Sequence, residues 1–172
     1  MAGGLTRSGA EIVATLARAG RGRGLDPGRA VDLARAGLWL AAQGHDGVGA
    51  ALHGRAELTA AIDIALAEGT HETVVATAHD ALLLVGLAAN TGCRFRIGAA
   101  RVDADGVRGT PPRGRCTVAV EGPGAPAVPA PCGPFAVDGD SWAEAERLAA
   151  LTHVPASEHS RRGAGGATPD DD

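Results

Sequence analysis

The stretch that decides the fold is TVVATAHDALLLVGLAANTGCRFRIGAARV, residues Thr73–Val102, because hydrophobic patterns of different period follow one another within it. Its first residues, Thr73 to Ala76, form a short apolar run that suits a strand. A helical pattern opened by Asp80 comes next, with apolar residues at helical spacing: Leu83, Leu84, Leu87 and Ala88. Polar and apolar residues then alternate from Arg94 to Ile97, which predicts a half-buried strand that continues towards Val102.

Helices are predicted before this stretch. The first is expected from about Gly9 to Ala19 and ends where the glycine-rich segment GRGRG begins. Asp26 and Pro27 supply an N-cap and a proline at the first helical position, so a second helix should run from here to Gln43. A third helix is expected from Leu58 to Leu66.

Turn and strand signals follow the stretch. Asp105 and Gly106 form a hairpin-turn signal, after which Val107 begins a returning strand. A further strand is expected over Arg115–Val120, and the proline- and glycine-rich interval Gly122–Pro134 is expected to be a loop, either irregular or partly extended. These strands predict a small sheet whose neighbouring strands run mostly antiparallel.

A capping box, Ser141 with Glu144, predicts a last helix over Trp142–Thr152. The predicted fold class is therefore α+β, with N-terminal helices, a small mostly antiparallel sheet, a C-terminal helix and a flexible tail. Residues 1–153 are expected to form a single compact α+β domain, since 172 residues suffice for one core. Residues 154–172 form the tail, which is rich in glycine, arginine and aspartate.

The chain contains neither lysine nor tyrosine, and this restricts the chemistry that it can carry out. Without lysine there is no Schiff base, no pyridoxal phosphate anchor and no Walker lysine on a phosphate. Without tyrosine no phenolic acid is available for proton transfer. We predict no cofactor.

The net charge of −4 disfavours nucleic acid as a partner, because a polyanion needs a basic surface. The stretch from Arg94 to Arg115 is nevertheless locally basic. A nucleic-acid module would need the following side chains on one uninterrupted sheet face: Arg94, Arg96, Arg101, Arg108 and Arg115.

The N-terminal sequence MAGGLTRSGAEIV lacks a positively charged start followed by an apolar run, and no run of about eighteen apolar residues occurs. A cytoplasmic protein without membrane contact is therefore expected.

The cysteines Cys93, Cys116 and Cys132 form no CxxC motif and are expected to be reduced thiols. Cys93 and Cys116 are expected to be small buried residues beside strands, and Cys132 to be exposed.

A polar stripe lies on the second predicted helix, opposite its apolar face: Asp32, Arg35, Trp39 and Gln43. The side chain of Trp39 is too large and too apolar for a stripe that faces solvent. We therefore expect Trp39 either to pack beneath another segment of the chain or to lie at a contact between subunits.

The tail offers groups that bind anions. An arginine pair beside serine hydroxyls and glycine amides suits a carboxylate or a phosphate, so an anion-binding nest is predicted from these residues: Ser157, Ser160, Arg161, Arg162 and Gly163. The alternatives are a solvated terminus without a ligand, and a docking arm whose Asp170–Asp172 face basic groups on another subunit or on a partner enzyme.

Titratable side chains give candidates for catalysis. His153 and His159 are acid–base candidates, and Cys132 is a candidate nucleophile if a histidine lies beside it. His71 and His79, on either side of a predicted strand, form a second histidine pair. Neither pair has a recognised zinc spacing, so no metal site is predicted.

Three segments carry a resemblance to a known family: Leu38-Trp39-Leu40 with the following Gly44-His45-Asp46-Gly47, the apolar Ala81–Ala89, and the closing HVPASEHSRRGAGGATPDDD. Together they are similar to an uncharacterised bacterial family, the domain of unknown function family 3726. The chain departs from that family's pattern at His153, where relatives tend to have an aromatic hydroxyl, and in its GAGG glycine run. The resemblance implies a shared fold and a functional tail, but no reaction.

These observations predict a non-catalytic accessory or small-anion-binding protein that self-associates through the Trp39 helix or the tail. The alternative is an enzyme acting on a small anionic metabolite, which Arg161 and Arg162 would bind while His153 or His159 transfers protons. The predicted partners are thus an anionic metabolite, a second copy of the chain, or a partner enzyme.

Overall fold

The structure, a computed structural model, describes residues 5–124 and 133–152. Within these ranges the chain is α+β, as the sequence predicts. The helices are α1 (Gly9–Gly22), α2 (Pro27–Ala42), α3 (Gly47–His53), α4 (Leu58–Glu68), α5 (Ala78–Ala89) and α6 (Gly139–Ala150). The strands are β1 (Leu5–Ser8), β2 (Thr70–Val75), β3 (Cys93–Ile97), β4 (Ala100–Asp103), β5 (Gly106–Arg108), β6 (Gly114–Pro123) and β7 (Pro134–Val137).

Five strands form the main sheet in the order β2-β6-β3-β4-β5, and every neighbouring pair in it is antiparallel. The prediction of a small, mostly antiparallel sheet is confirmed. The hairpin turn at Asp105 and Gly106 joins β4 to β5 as predicted. The strand predicted from Arg94 towards Val102 is instead two strands, β3 and β4, because the chain turns at Gly98, which has a positive φ of 58°.

A second, two-stranded sheet pairs β1 with β7, with Leu5 opposite Val137. The sequence predicts neither strand, since four mostly exposed residues carry no clear periodicity. It also assigns Gly122–Pro134 to a loop, part of it extended, whereas β6 extends to Pro123 and β7 begins at Pro134. Strand pairing between distant parts of the chain therefore sets these boundaries.

The sequence does not predict α3, because its segment GVGAALH contains glycines that oppose helix formation. Close contact between helices explains one of them. A Cβ atom at Gly47 would lie 2.0 Å from the carbonyl oxygen of Gly37, so only glycine allows α3 to approach α2 this closely. Asp46 caps α3 by accepting a hydrogen bond from the backbone N–H of Gly49 (2.8 Å).

The start of α6 differs from the prediction: the helix begins at Gly139 rather than at Trp142. Its N-cap is Asp138, whose carboxylate accepts a hydrogen bond from the backbone N–H of Ser141 (2.9 Å). The predicted capping box of Ser141 with Glu144 is therefore wrong, since Ser141 acts as a donor within the first turn. The carboxylate of Glu144 instead lies 3.8 Å from Nε2 of His53, the last residue of α3.

Two groups of buried apolar residues form the core. One lies between the main sheet and the helices α4 and α5, around the fully buried Phe95. The other lies among α1, α2, α3 and α6, around Ile12 and Trp142. The helix α2 contributes Leu33 to the first group and Leu38 to the second, and so joins the two.

Trp39 packs within the molecule. Its indole Nε1 donates a hydrogen bond to the backbone carbonyl of Ala104 (3.0 Å), in the turn between β4 and β5. Of the two alternatives for Trp39, packing beneath another segment of the chain is confirmed. The contact also ties α2 to the edge of the main sheet.

Asp80 is fully buried, and its side chain accepts hydrogen bonds from the backbone N–H groups of Arg55 (2.9 Å), Ala76 (3.0 Å) and Thr77 (3.3 Å). The Nε atom of Arg55 donates a further hydrogen bond to it (3.0 Å). Burial alone would raise the pKa of Asp80, but these hydrogen bonds and the guanidinium charge hold it below the ordinary value of a carboxyl group. With Thr77 it forms a capping box, so α5 begins at Ala78 rather than at Asp80 as predicted.

Replacing Asp80 by asparagine should destabilise the fold by about 3 kcal/mol, because three backbone donors and the Arg55 guanidinium lose a buried, charged acceptor. The lowered pKa means that the carboxylate stabilises the fold fully above the ordinary carboxyl pKa, and that this contribution is lost as pH falls through the lowered value. Urea unfolding at neutral and at acidic pH should therefore show the wild type and Asp80→Asn converging in acid. The control is Glu57→Gln, an acidic residue whose side chain does not cap α4; an equal loss there would contradict the prediction.

Candidate ligand-binding groove

A groove lies where α2, α4 and the C-terminal end of α5 meet. Its volume is about 240 Å³, below the roughly 300 Å³ at which pockets for drug-sized ligands begin. Polar and apolar residues line it together: Asp32, Arg35, Thr59, Ile62, Asp63, Leu66, Leu87, Asn90 and Thr91. A site of this size and composition suits a compact metabolite.

Residues at helical spacing on α2 and on α4 line the two opposite sides of the groove. Asp32 and Arg35 are one turn apart on α2 and belong to the polar stripe that the sequence identifies. The facing residues of α4 also recur at helical spacing: Thr59, Ile62, Asp63 and Leu66. The sequence therefore indicates the α2 side of the groove, but it gives no signal that places α4 opposite.

The apolar wall of the groove is formed by Ile62 and Leu87, which are buried, and by Leu66. Leu66 is 42% exposed. An exposed aliphatic side chain that lines a groove offers apolar surface that a ligand can remove from water, at about 25 cal/mol for each Å² buried.

Two carboxylates and one guanidinium give the lining of the groove a net negative charge. Partial burial raises the pKa of Asp32, while the guanidinium of Arg35 opposes this and the negative charges of Asp63 and Asp26 add to it. A positively charged group bound beside Asp32 and Asp63 would relieve their mutual repulsion. The groove is thus electrostatically suited to a cationic group.

Polar side chains at the end of α5 are anchored to its last turn. Oγ1 of Thr91 donates a hydrogen bond to the carbonyl of Ala88 (2.8 Å), and Nδ2 of Asn90 donates to the carbonyl of Gly86 (2.7 Å). These side-chain donors bond to carbonyls of the last turn, where the helix has no further residues to supply its usual hydrogen bonds. The hydroxyl and amide oxygens keep acceptor capacity that a ligand can use.

The arginines considered for nucleic-acid binding lie on the solvent face of the main sheet, since the residues alternating with them, such as Phe95, are buried on the other face. They are Arg94, Arg96, Arg101, Arg108 and Arg115. The face is not uninterrupted, because the carboxylate of Glu121 lies 3.4 Å from Arg96 and 3.5 Å from Arg101. The arginines therefore share one face, as a nucleic-acid module requires, but that face is not uninterrupted.

The candidate tail and nucleophile residues lie outside the described residues, as does the expected domain boundary at residue 153. They are the acid–base candidates His153 and His159, the nucleophile candidate Cys132, and the predicted anion nest of Ser157, Ser160, Arg161, Arg162 and Gly163. Their roles, and the docking of Asp170–Asp172, remain predictions.

The structure gives His71 and His79 different neighbours. Nε2 of His79 lies 3.7 Å from Oδ2 of Asp46, and its ring centroid lies 5.2 Å from that of His53. His71 lies on β2, opposite Val118 of β6. Among residues 5–124 and 133–152, no group of three or more histidine, cysteine, aspartate or glutamate side chains could hold a metal ion.

Cys93 and Cys116 are free thiols on β3 and β6. Cys116 is buried and Cys93 is half-buried, so the expectation of burial is confirmed in full for Cys116 only. Burial raises the pKa of Cys116, which disfavours the reactive thiolate. Cys116 is thus a packing residue of the sheet.

Comparison with protein-family models, with curated proteins and with solved structures finds no match for this chain. The resemblance to the domain of unknown function family 3726 stays a prediction from the sequence motifs. In the part of the chain that the structure describes, no helix has the length and apolar character needed to cross a membrane.

Proposed function

We propose that this protein is a non-catalytic domain that binds a small ligand in the groove between α2, α4 and α5. The ligand carries a positively charged group and an apolar portion. The observation that carries this proposal is the presence of Asp32 and Asp63 beside Leu66 in one groove. At such sites apolar burial supplies affinity, and a few charged groups fix the orientation of the ligand.

The charges of the groove select the class of ligand. An ammonium group donates charge-assisted hydrogen bonds to carboxylates such as Asp32 and Asp63, and these bonds are stronger than bonds between neutral groups. Arg35 adds a guanidinium fork to the same groove, which suits a carboxylate. A compact zwitterion with an aliphatic side chain matches both signs of charge and the apolar wall. The groove therefore favours a zwitterion over the purely anionic ligand predicted from the tail.

The accessory role expected from the sequence rests on the tail and on the Trp39 helix. The indole of Trp39 donates to Ala104 within the molecule, so this side chain no longer serves as evidence for a contact between subunits. The enzyme alternative rests on His153 and His159, which lie outside the described residues. A ligand that is consumed rather than bound would favour that alternative.

Three compounds that share one aliphatic chain test the class of ligand: leucine, isoamylamine and 4-methylpentanoate. We expect leucine and isoamylamine to bind, because each carries the ammonium group, and 4-methylpentanoate not to bind. Isothermal titration calorimetry at neutral pH measures the difference. Binding of the acid alone would contradict the proposal, and so would a failure of both amines to bind.

Asp63→Asn should weaken the binding of isoamylamine about tenfold, because the loss of one charge-assisted hydrogen bond costs about 1.4 kcal/mol or more. The measurement is the dissociation constant of the variant against that of the wild type. Asp140→Asn is the matched control, since this acidic residue lies on α6 and does not line the groove. Equal weakening in both variants would show that the effect comes from overall charge and not from the groove.

Asp32→Asn should make the protein slightly more stable at neutral pH while it weakens ligand binding. The pKa of Asp32 is raised in the folded state, so its contribution to stability is complete below the ordinary carboxyl pKa and is lost as pH rises through the raised value. We expect a gain of at most about 0.5 kcal/mol at neutral pH, since Asp32 is exposed at the surface. Urea unfolding at neutral and acidic pH measures it, and a destabilised variant at neutral pH would contradict this account.

A further inference from the structure

We propose that the solvent face of the main sheet carries a second binding site, for an oxyanion such as a phosphate or carboxylate group, among Arg94, Arg101 and Arg108. These side chains line one hollow of about 510 Å³, together with Asp103 and Glu121. The hollow lies on the face of the sheet that does not pack against α4 and α5. The proposal is therefore independent of the function proposed for the groove.

Strand register aligns three arginines across the sheet. Arg96 on β3 lies directly opposite Arg101 on β4, which lies directly opposite Arg108 on β5. Residues in such positions have Cβ atoms about 4.5–5.5 Å apart, and like charges there destabilise a sheet. A row of three guanidinium groups therefore lowers folding stability unless anions lie among them.

Two carboxylates offset part of this repulsion. Glu121 contacts both Arg96 (3.4 Å) and Arg101 (3.5 Å), and so bridges the first two members of the row. Asp103 lies 3.7 Å from Arg108, the third member. The protein's own anions thus leave the row with fewer negative than positive charges.

Arg94 adds a further guanidinium to the hollow. In the ranges 5–124 and 133–152 it forms no ion pair within 4.0 Å, so its positive charge is not offset there. A guanidinium fork binds a carboxylate or phosphate through two parallel hydrogen bonds. An oxyanion from solution would therefore offset the positive charge that remains in this hollow.

The lining favours a small oxyanion over nucleic acid. Proteins that bind single strands stack bases on exposed aromatic side chains. Phe95 is the aromatic residue that lines this hollow, and its side chain is 0% exposed. Arg101 and Arg108 are 71% and 74% exposed, which suits weak and readily reversible binding of a small ion.

Inorganic phosphate is the probe, titrated at constant ionic strength while NMR follows the Nε–Hε resonances of the arginines. We expect saturable shifts for Arg94, Arg101 and Arg108, and none for Arg21, which is an exposed arginine on α1. Arg101→Gln should weaken phosphate binding at least about fivefold, whereas Arg21→Gln leaves it unchanged. Uniform shifts of all arginines without saturation would overturn the proposal.

A second variant changes the site without removing an arginine. Glu121→Gln removes the carboxylate that competes with phosphate for Arg96 and Arg101, so we expect phosphate to bind about threefold more tightly. Unchanged or weaker binding in this variant would overturn the proposal. Displacement of phosphate by succinate at the same resonances would support one site for both oxyanions. A single-stranded oligonucleotide that binds this face and resists displacement by phosphate would assign the face to nucleic acid instead.

Discussion

One buried carboxylate joins the helical part of this protein to its sheet. Asp80, in the first turn of α5, accepts hydrogen bonds from Ala76 at the end of β2 and from Arg55 in the segment before α4. Hydrogen bonds to a charged acceptor such as this one contribute about 1.5–3 kcal/mol each. At its other end α5 lines the groove, and along its length it packs against β3. The positions of both candidate sites therefore depend on this one ion.

Much of the fold was predictable because its signals are local. Asp26 with Pro27 marks the start of α2, and the Asp105-Gly106 pair marks the β4–β5 hairpin. The helix α3 was not predictable in this way, since Gly47 suits a helix only because α2 packs so closely against it. The pairing of β1 with β7 joins opposite ends of the described chain, and neither strand carries a signal of its own. Long-range packing, which no short window contains, decided these elements.

The candidate sites show the same division between local and long-range information. Asp32 and Arg35 stand out in the sequence as a polar stripe on an otherwise apolar helix, but no spacing relates them to Asp63 or Asn90. The arginines that a nucleic-acid module would need do share one face of the sheet, because alternation along a strand places every second residue on one face. Alternation does not give the register between strands, and it is the register that brings Glu121 among them.

The net charge of −4 conceals two regions of opposite sign. The carboxylates of the groove lie among the helices, the arginines lie on the outer face of the sheet, and buried apolar residues lie between. Salt screens the interaction between solvent-exposed charges that lie more than a Debye length apart, about 8 Å at physiological salt, so each region acts mainly on ligands at its own surface. A cationic group and an oxyanion can therefore bind the same chain without cancelling each other's attraction. The net charge of the whole chain does not describe the outer face of the sheet, because strand alternation concentrates the arginines there.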